Sequence, residues 1–504
     1  MKSLLLGFIL ALNLIPAPVE FKPSEGTSTV DKVVVRKHSF GFRKAVRDLP
    51  EFSRKEAYRL TIGPRKVVVE ARTDEGVFRA RKTIEQLQAL GEVPCGVIFD
   101  YPRFRHRGLM IDESRTFKGA QFLKKQMDAM ALLKFNILHL HLDDSAGWRI
   151  ESETYPDLTA KGAFRIGAHY MEWEKSGYKY STQDDPEAYG GYYTKDELRD
   201  LVEYAAERYI TIIPEIEMPG HSLEVTSAYP GTSCTLEDGT PFKGAWDVCP
   251  GSEETYKLLE SVLTEVMEIF PSHYIHIGGD EASMAVWPKC IKCRERMRQE
   301  GYTEVSQLQG YLVRHIEAFV RAHGRSIIGW DEILETGVPQ SAVIQSWRGI
   351  SGGIKANAAG HKVVMSPNSH LYFDYYQDLI RKEPRAWGEL TSLRHVYSYE
   401  PVAPGMDETL VLGLQANLWC EWIPTVEHAE YMLWPRGFAV AEIGWSPRGE
   451  KDPIEFRDRA DALRHVLMDR GYNTFDLDTE SELARSGYRT FEAFEKAKAQ
   501  QTKQ

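Results

Sequence analysis

The chain has 504 residues, a net charge of −11, 42% hydrophobic residues and 27% charged residues. That length exceeds one small domain, and the composition is that of an ordinary folded protein, not of a disordered or fibrous one. The acidic balance argues against a nucleic-acid surface, which would need a basic stripe, and no stretch is long and apolar enough for a membrane span.

The first residues, MKSLLLGFILALNLIPAP, place one lysine before an apolar run over 4–12. This is a signal-peptide pattern, so residues 1–16 are expected to be a leader for export, to the periplasm or outside the cell. A buried first strand is the alternative. Residues 17–100 read as a small α+β accessory domain. EAYRLTI (56–62) and RKVVVEA (65–71) flank Gly63-Pro64 as a hairpin, and Val77, Ala80, Ile84 and Leu87 fall at helical spacing within 74–90.

From residue 101 to 470 the rhythm changes. Apolar, β-branched runs recur at 107–114, 136–144, 209–217, 274–281, 325–332, 342–348, 362–367 and 410–419, mostly with helical segments between them. Thr194 and Glu197 form a capping box that opens one such helix over 195–209. Eight strands alternating with helices predict an α/β fold, a (β/α)8 TIM-type barrel preceded by the small α+β domain. Nearly every run ends in acids, Trp or His, which a barrel would gather at one mouth. A doubly wound open sheet is the rival, and no Gly-rich phosphate loop supports it. Residues 471–504 turn polar and read as a C-terminal tail ending in a frayed helix.

Cys234 and Cys249 flank a loop that an exported protein could bridge, and Cys290 and Cys293 form CIKC, read as a local disulfide or two free thiols. A zinc site would need a second ligand pair, and none has suitable spacing. No metal and no cofactor are expected.

A pocket rich in carboxylates and indoles but poor in cations suits a neutral, hydroxyl-rich ligand such as a sugar. HIGGDE (276–281) sets Asp280 beside Glu281 at a strand end. Glycosidases commonly place two carboxyls about 5–9.5 Å apart on opposite sides of the scissile bond. Neighbouring residues share one backbone anchor and are poorly placed for that. With Glu281 as the acid, a 2-acetamido group on the substrate could supply the nucleophile while Asp280 holds its nitrogen. Two rivals remain: a metal-dependent hydrolase built on His139 and His141, with His221 and His276 as further ligands, and a sugar-binding barrel without catalysis.

Eight motifs then align in order: RGLMIDESRTF (107–117), LHLHLDDSAGWRIE (138–151), PEIEMPGHS (214–222), HIGGDE (276–281), GWDE (329–332), SWR (346–348), YFD (372–374) and NLWCE (417–421). Over about 17–470 the chain resembles the family 20 glycoside hydrolases, the β-N-acetylhexosaminidases. The resemblance implies an exo-acting, retaining, substrate-assisted enzyme that removes terminal β-linked N-acetylhexosamine from glycans. It implies Glu281 as acid and base, Asp280 and Tyr372 on the acetamide, and Trp330, Trp347 and Trp419 as walls. It also implies Arg115, Asp374 and Glu421 on the ring hydroxyls, with Asp143 and His221 as a pair that tunes Glu281. Burial and the Asp280 charge are expected to raise the Glu281 pKa. Thr116 stands where the family often has His, and Glu217 where it often has Asp.

Overall fold

The computed structural model describes residues 12–91 and 93–501. The eight apolar runs form a closed parallel barrel of His106–Asp112, Ile137–His141, Thr211–Glu215, Tyr274–His276, Ser326–Trp330, Val343–Ser346, Val363–Met365 and Val411–Leu418, here barrel strands 1 to 8. Strand 8 pairs with strand 1 from Gly413↔His106 to Leu418↔Ile111, so closure leaves no edge to protect. Amphipathic helices wrap the outside. Ser306–Ala322, for example, buries Leu312, Val313, Ile316 and Val320, one stripe at helical period. The capping box closes as expected: Glu197 N donates to Thr194 Oγ1 (3.2 Å) and Thr194 N to Glu197 Oε2 (2.9 Å).

Toward the strand starts the barrel is filled by Ile213, Ile328, Val343, Val364 and Leu412. Toward the strand ends the filling turns polar. His139 Nε2 lies 3.1 Å and His276 Nδ1 2.7 Å from the buried Glu215 carboxylate, which also bonds His141 Nδ1. Three of the four imidazoles of the metal-hydrolase rival thus gather on one acid, and the ring of Trp330 lies 4.8 Å from that of His276; the fourth, His221, stands apart from Glu215.

The accessory domain is a five-stranded sheet in the order Glu20–Thr27, Pro94–Asp100, Tyr58–Ile62, Lys66–Ala71 and Lys32–Lys37. The expected hairpin is its antiparallel centre, and Val77, Ala80, Ile84 and Leu87 of the helix Asp74–Ala89 are buried. A buried ion triad ties this domain to the barrel: Glu56 Oε2 accepts from Arg79 Nε (2.8 Å) and from Arg107 Nη2 (2.6 Å), and Arg107 lies on strand 1. Glu56→Ala leaves the buried Arg107 guanidinium without its acid and Arg79 with Glu75 alone, so a loss of about 3–5 kcal/mol is expected. Denaturant titration checks this; an unchanged midpoint would contradict it.

Three expectations need correction. The leader assigned to 1–16 overlaps the folded body: Leu14 and Ile15 are fully buried, Ile15 N donates to Gln86 Oε1 (3.1 Å), and Leu14 O accepts from Arg459 Nη1 (2.7 Å). The folded part therefore includes residues 12–16, and residues 1–11 lie outside the described ones. The polar tail at 471–504 is also partly core. Tyr472, Phe475 and Leu477 join the main hydrophobic cluster, and Leu483 and Ala484 pack with Leu390. A few apolar anchors hold a mostly polar segment. Finally, Cys234, Cys249, Cys290 and Cys293 do not form two separate local pairs; all four meet in one buried cluster.

Candidate active site

Strand 4 ends at His276, and the chain then turns through Gly278 (φ +60°) and Gly279 (φ +95°). A Cβ on Gly278 would stand 1.7 Å from Glu217 Oε2, and one on Gly279 2.3 Å from Ile333 Cγ2. Only glycines fit both the backbone and the space. The turn sets Asp280 in the inner wall of a cavity, nearly buried, and Glu281 at its mouth with 60% of its side chain exposed. Glu281 (φ +47°) and His221 (φ +51°) both hold left-handed backbone conformations that non-glycine residues rarely adopt and that concentrate at functional sites.

All eight strand ends contribute to this region. The cavity, about 300 Å³, is lined by Arg115, His221, Asp280, Glu281, Trp347, Tyr372, Asp374, Trp419 and Glu421. It is at the small end of the ligand-pocket range of about 300–1,000 Å³, suited to one sugar ring. Trp330 packs behind the lining residues Tyr372 and Trp419: its indole is buried and lies 5.8 Å from that of Trp419. Trp347 and Tyr372 stack at 6.1 Å with 15° between their planes. Every residue singled out in the sequence is therefore here except Asp143.

The partner of His221 is Asp144, not Asp143. His221 Nδ1 lies 3.2 Å from Asp144 Oδ2, whereas Asp143 turns away to accept from Glu217 N (3.0 Å). Residues 143–144 pair with 147–148 in a short hairpin, where successive side chains take opposite sides. Asp144 also holds Arg115 Nη2 at 2.6 Å and His141 Nε2 at 3.1 Å. The other ring nitrogen, His221 Nε2, faces both acids of the pair, 3.5 Å from Asp280 Oδ2 and 3.6 Å from Glu281 Oε2.

These contacts set the charges. Burial disfavours the ionised form of Asp144, but Arg115 and then His221 outweigh it and hold the carboxyl well below the usual carboxylate range. Burial likewise opposes the His221 imidazolium, yet Asp144, Asp280 and Glu281 raise its pKa well above the ordinary histidine value. Burial raises Asp280, with His221 pulling the other way. The expected raised pKa of Glu281 is not found: the nearby His221 lowers it, and its exposed carboxyl feels too little burial to compensate.

The far wall is held by Arg115, whose guanidinium sits 4.9 Å from the Trp419 ring centre and 3.9 Å from Glu421 Oε1. Burial raises the carboxyls of Asp374 and Glu421, and Asp280 Oδ1, Asp374 Oδ1 and Glu421 Oε2 are buried without a hydrogen-bond partner among the described residues. Such atoms call for donors from outside the protein, which the hydroxyls or N–H of a bound ligand, or water, can supply. Thr116, at the position where histidine was the common residue, donates Oγ1–H to Cys420 O (2.8 Å) and so ties the strand 1 loop to the strand 8 loop.

Sequence reasoning left Asp331 and Glu332 without a role. Asp331 Oδ2 accepts from Trp347 N (3.0 Å) and Glu332 Oε2 from Trp347 Nε1 (2.8 Å), so both orient that indole. Burial and the Asp280 charge push the Glu332 carboxyl up to about 7. Their place in GWDE, one and two positions past Trp330, was the available signal.

The model of the catalytic domain of glycosyl hydrolase family 20 matches residues 104–448, and that of the family's domain 2 matches 37–101. The chain belongs to glycosyl hydrolase family 20. It is 38% identical to a beta-hexosaminidase of Porphyromonas gingivalis over 81% of this chain and 53% of that protein, and 36% identical to one of Vibrio furnissii over 77% and 65%. This family 20 chain thus spans about half to two thirds of the length of those relatives. It also superposes on a GH20 exo beta-N-acetylglucosaminidase from Vibrio harveyi, solved with N-acetylglucosamine, with a TM-score of 0.79 and 29% identity, over 92% of this chain and 78% of that one.

Proposed function

We propose that the protein is an exo-acting β-N-acetylhexosaminidase that hydrolyses terminal, non-reducing β-linked N-acetylhexosamine with retention of configuration, the 2-acetamido group of the substrate acting as nucleophile. The observation that carries this reading is the placement of Asp280 and Glu281. Both face the same His221 nitrogen, from one strand end, beside an aromatic cage of Trp330, Trp347, Tyr372 and Trp419. The cage suits an acetamide methyl, and the unpartnered Asp280 Oδ1 suits its N–H. The names of the relatives support the same class of substrate.

In this reading Arg115, Asp374 and Glu421 bind ring hydroxyls and close the pocket to a longer chain. Glu281 protonates the departing oxygen as the acetamide oxygen attacks the anomeric carbon. Asp280 orients the amide and offsets the positive charge of the oxazolinium ring that forms, while Tyr372 hydrogen-bonds the acetamide oxygen. Glu281 then takes a proton from the water that opens the ring. A sugar seated over Glu281 removes its exposure and raises its pKa, which supplies the proton that the open site does not favour. A thiazoline that mimics the cyclised intermediate tests the reading: tight competitive inhibition is expected, and failure to inhibit would refute attack by the neighbouring group.

His221 acts through both acids. Its positive charge lowers the pKa of each, so removing it raises both. In His221→Gln both limbs of the kcat/KM profile, which report the ionisation of this acid pair as a unit, move to higher pH. Limbs that stay in place would show that His221 does not tune the pair. We also propose export, on the strength of the lysine and apolar run at residues 1–12; fractionation of expressing cells checks it.

A further inference from the structure

We propose that Cys234, Cys249, Cys290 and Cys293 form a tetrathiolate zinc site that clamps the loops after barrel strands 3 and 4 together. The four cysteines come from two segments, and their sulfurs all lie within 4.8 Å of one another. Cys249 Sγ is 3.4 Å from Cys293 Sγ and 3.6 Å from Cys290 Sγ, and Cys234 Sγ is 3.9 Å from Cys293 Sγ. Tetrahedral zinc with bonds of about 2.3 Å holds its sulfurs about 3.8 Å apart. A disulfide brings sulfurs to about 2.05 Å, and here none is that close. The spacing therefore fits one ion between four sulfurs. A multi-iron cluster would have no room among them.

The surroundings fit as well. All four residues are at most 1% exposed, and Trp287 and Leu308 complete an apolar shell around them. Four thiols buried together make poor hydrogen-bonding partners for one another, whereas four thiolates around a dication form a closed site with no position left for water or substrate. That is the pattern of a structural zinc, not a catalytic one. Binding replaces four protons by Zn²⁺ and leaves a net charge of −2. The amide of Thr235 points at Cys290 Sγ (3.3 Å), as a thiolate needs, and Lys292 stands between the two cysteines of CIKC. Gly251 permits the close packing: a Cβ there would lie 2.4 Å from Cys293 N. Sequence spacing hid this site because Cys234 and Cys249 are not a tight pair; the fold brings them to CIKC.

The clamp bears on the active site through position. Cys234 and Cys249 lie in the loop that follows His221, and Cys290 and Cys293 in the loop that follows Glu281. Between them Asp247 accepts from Ser283 N (3.1 Å) and Met284 N (2.8 Å), bracing the segment just beyond the catalytic pair. Zinc is thus expected to hold the strained Glu281 turn against the His221 loop.

The test begins with the full-length protein, expressed without added metal and passed over a chelating resin. Elemental analysis should find about one zinc per chain. The native mass should exceed that of the denatured chain by about 63 Da, with four thiols released for titration along with the cysteines Cys95 and Cys420. Cys290→Ser with Cys293→Ser should lose the zinc, and Cys95→Ser should keep it. A zinc content near zero overturns the proposal, whether the denatured mass is about 4 Da low from two disulfides, or the thiols are free, or the bound metal is iron. If the double variant does not fold, the wild-type stoichiometry and mass decide alone. Stripping zinc with a mercurial titrant and a chelator should also lower the melting temperature, and an unchanged melt would rule out a structural role.

Discussion

Glu281→Gln is expected to lower kcat by about 10²- to 10⁴-fold on a disaccharide carrying N-acetylhexosamine, the range that a positioned proton donor contributes. The amide keeps the shape of the carboxylate and a group facing His221 Nε2, now 3.6 Å from Glu281 Oε2, so the fold and melting temperature should hold. What it lacks is a transferable proton. The loss should therefore shrink on a nitrophenyl glycoside, whose leaving group departs with little help. Steady-state kinetics on the two substrates measures the split. Equal, small losses on both would remove Glu281 from proton transfer.

Asp280→Asn should be of comparable severity, about 10²- to 10³-fold in kcat, the scale seen when one preorganised electrostatic partner of a charged transition state is lost. Asp280 is nearly buried, and while Oδ2 faces His221 its other oxygen, Oδ1, has no protein partner, so its charge is little screened by water and one oxygen is free for the substrate amide. Asparagine retains a hydrogen bond to the amide but not the charge that offsets the oxazolinium ring. KM should change little, because the amide is still held before reaction. A variant with normal kcat would show that no positive ring forms beside this residue.

The barrel was legible because each strand is a short β-branched run with polar residues at its C-terminal end, from Asp112 on strand 1 to Trp419 after strand 8. The HIGGDE turn was legible for a related reason: two glycines before two acids imply a sharp turn, and Gly278 and Gly279 prove to have no room for a side chain. Asp143 against Asp144 was not decidable from sequence. In an extended pair one side chain faces the pocket and the other the core, and only the pairing with 147–148 fixes which. The Glu281 pKa depended on exposure, which a motif does not encode. The cysteines depended on contacts across as many as 59 positions, from Cys234 to Cys293. The same holds at the ends of the chain, where Leu14, Ile15, Phe475 and Leu477 are anchored by distant partners that local composition does not specify.

The measurement that bears most directly on the account is the rate of cleavage of two aryl β-glycosides that differ only at C2, one carrying the acetamido group and the other a hydroxyl. Substrate-borne attack predicts rapid release from the first and almost none from the second, because the cage of Trp330, Trp347 and Trp419 would then hold no nucleophile. Comparable kcat/KM for the two would mean that a protein carboxylate attacks the anomeric carbon, and the roles given to Asp280 and Glu281 would fall together.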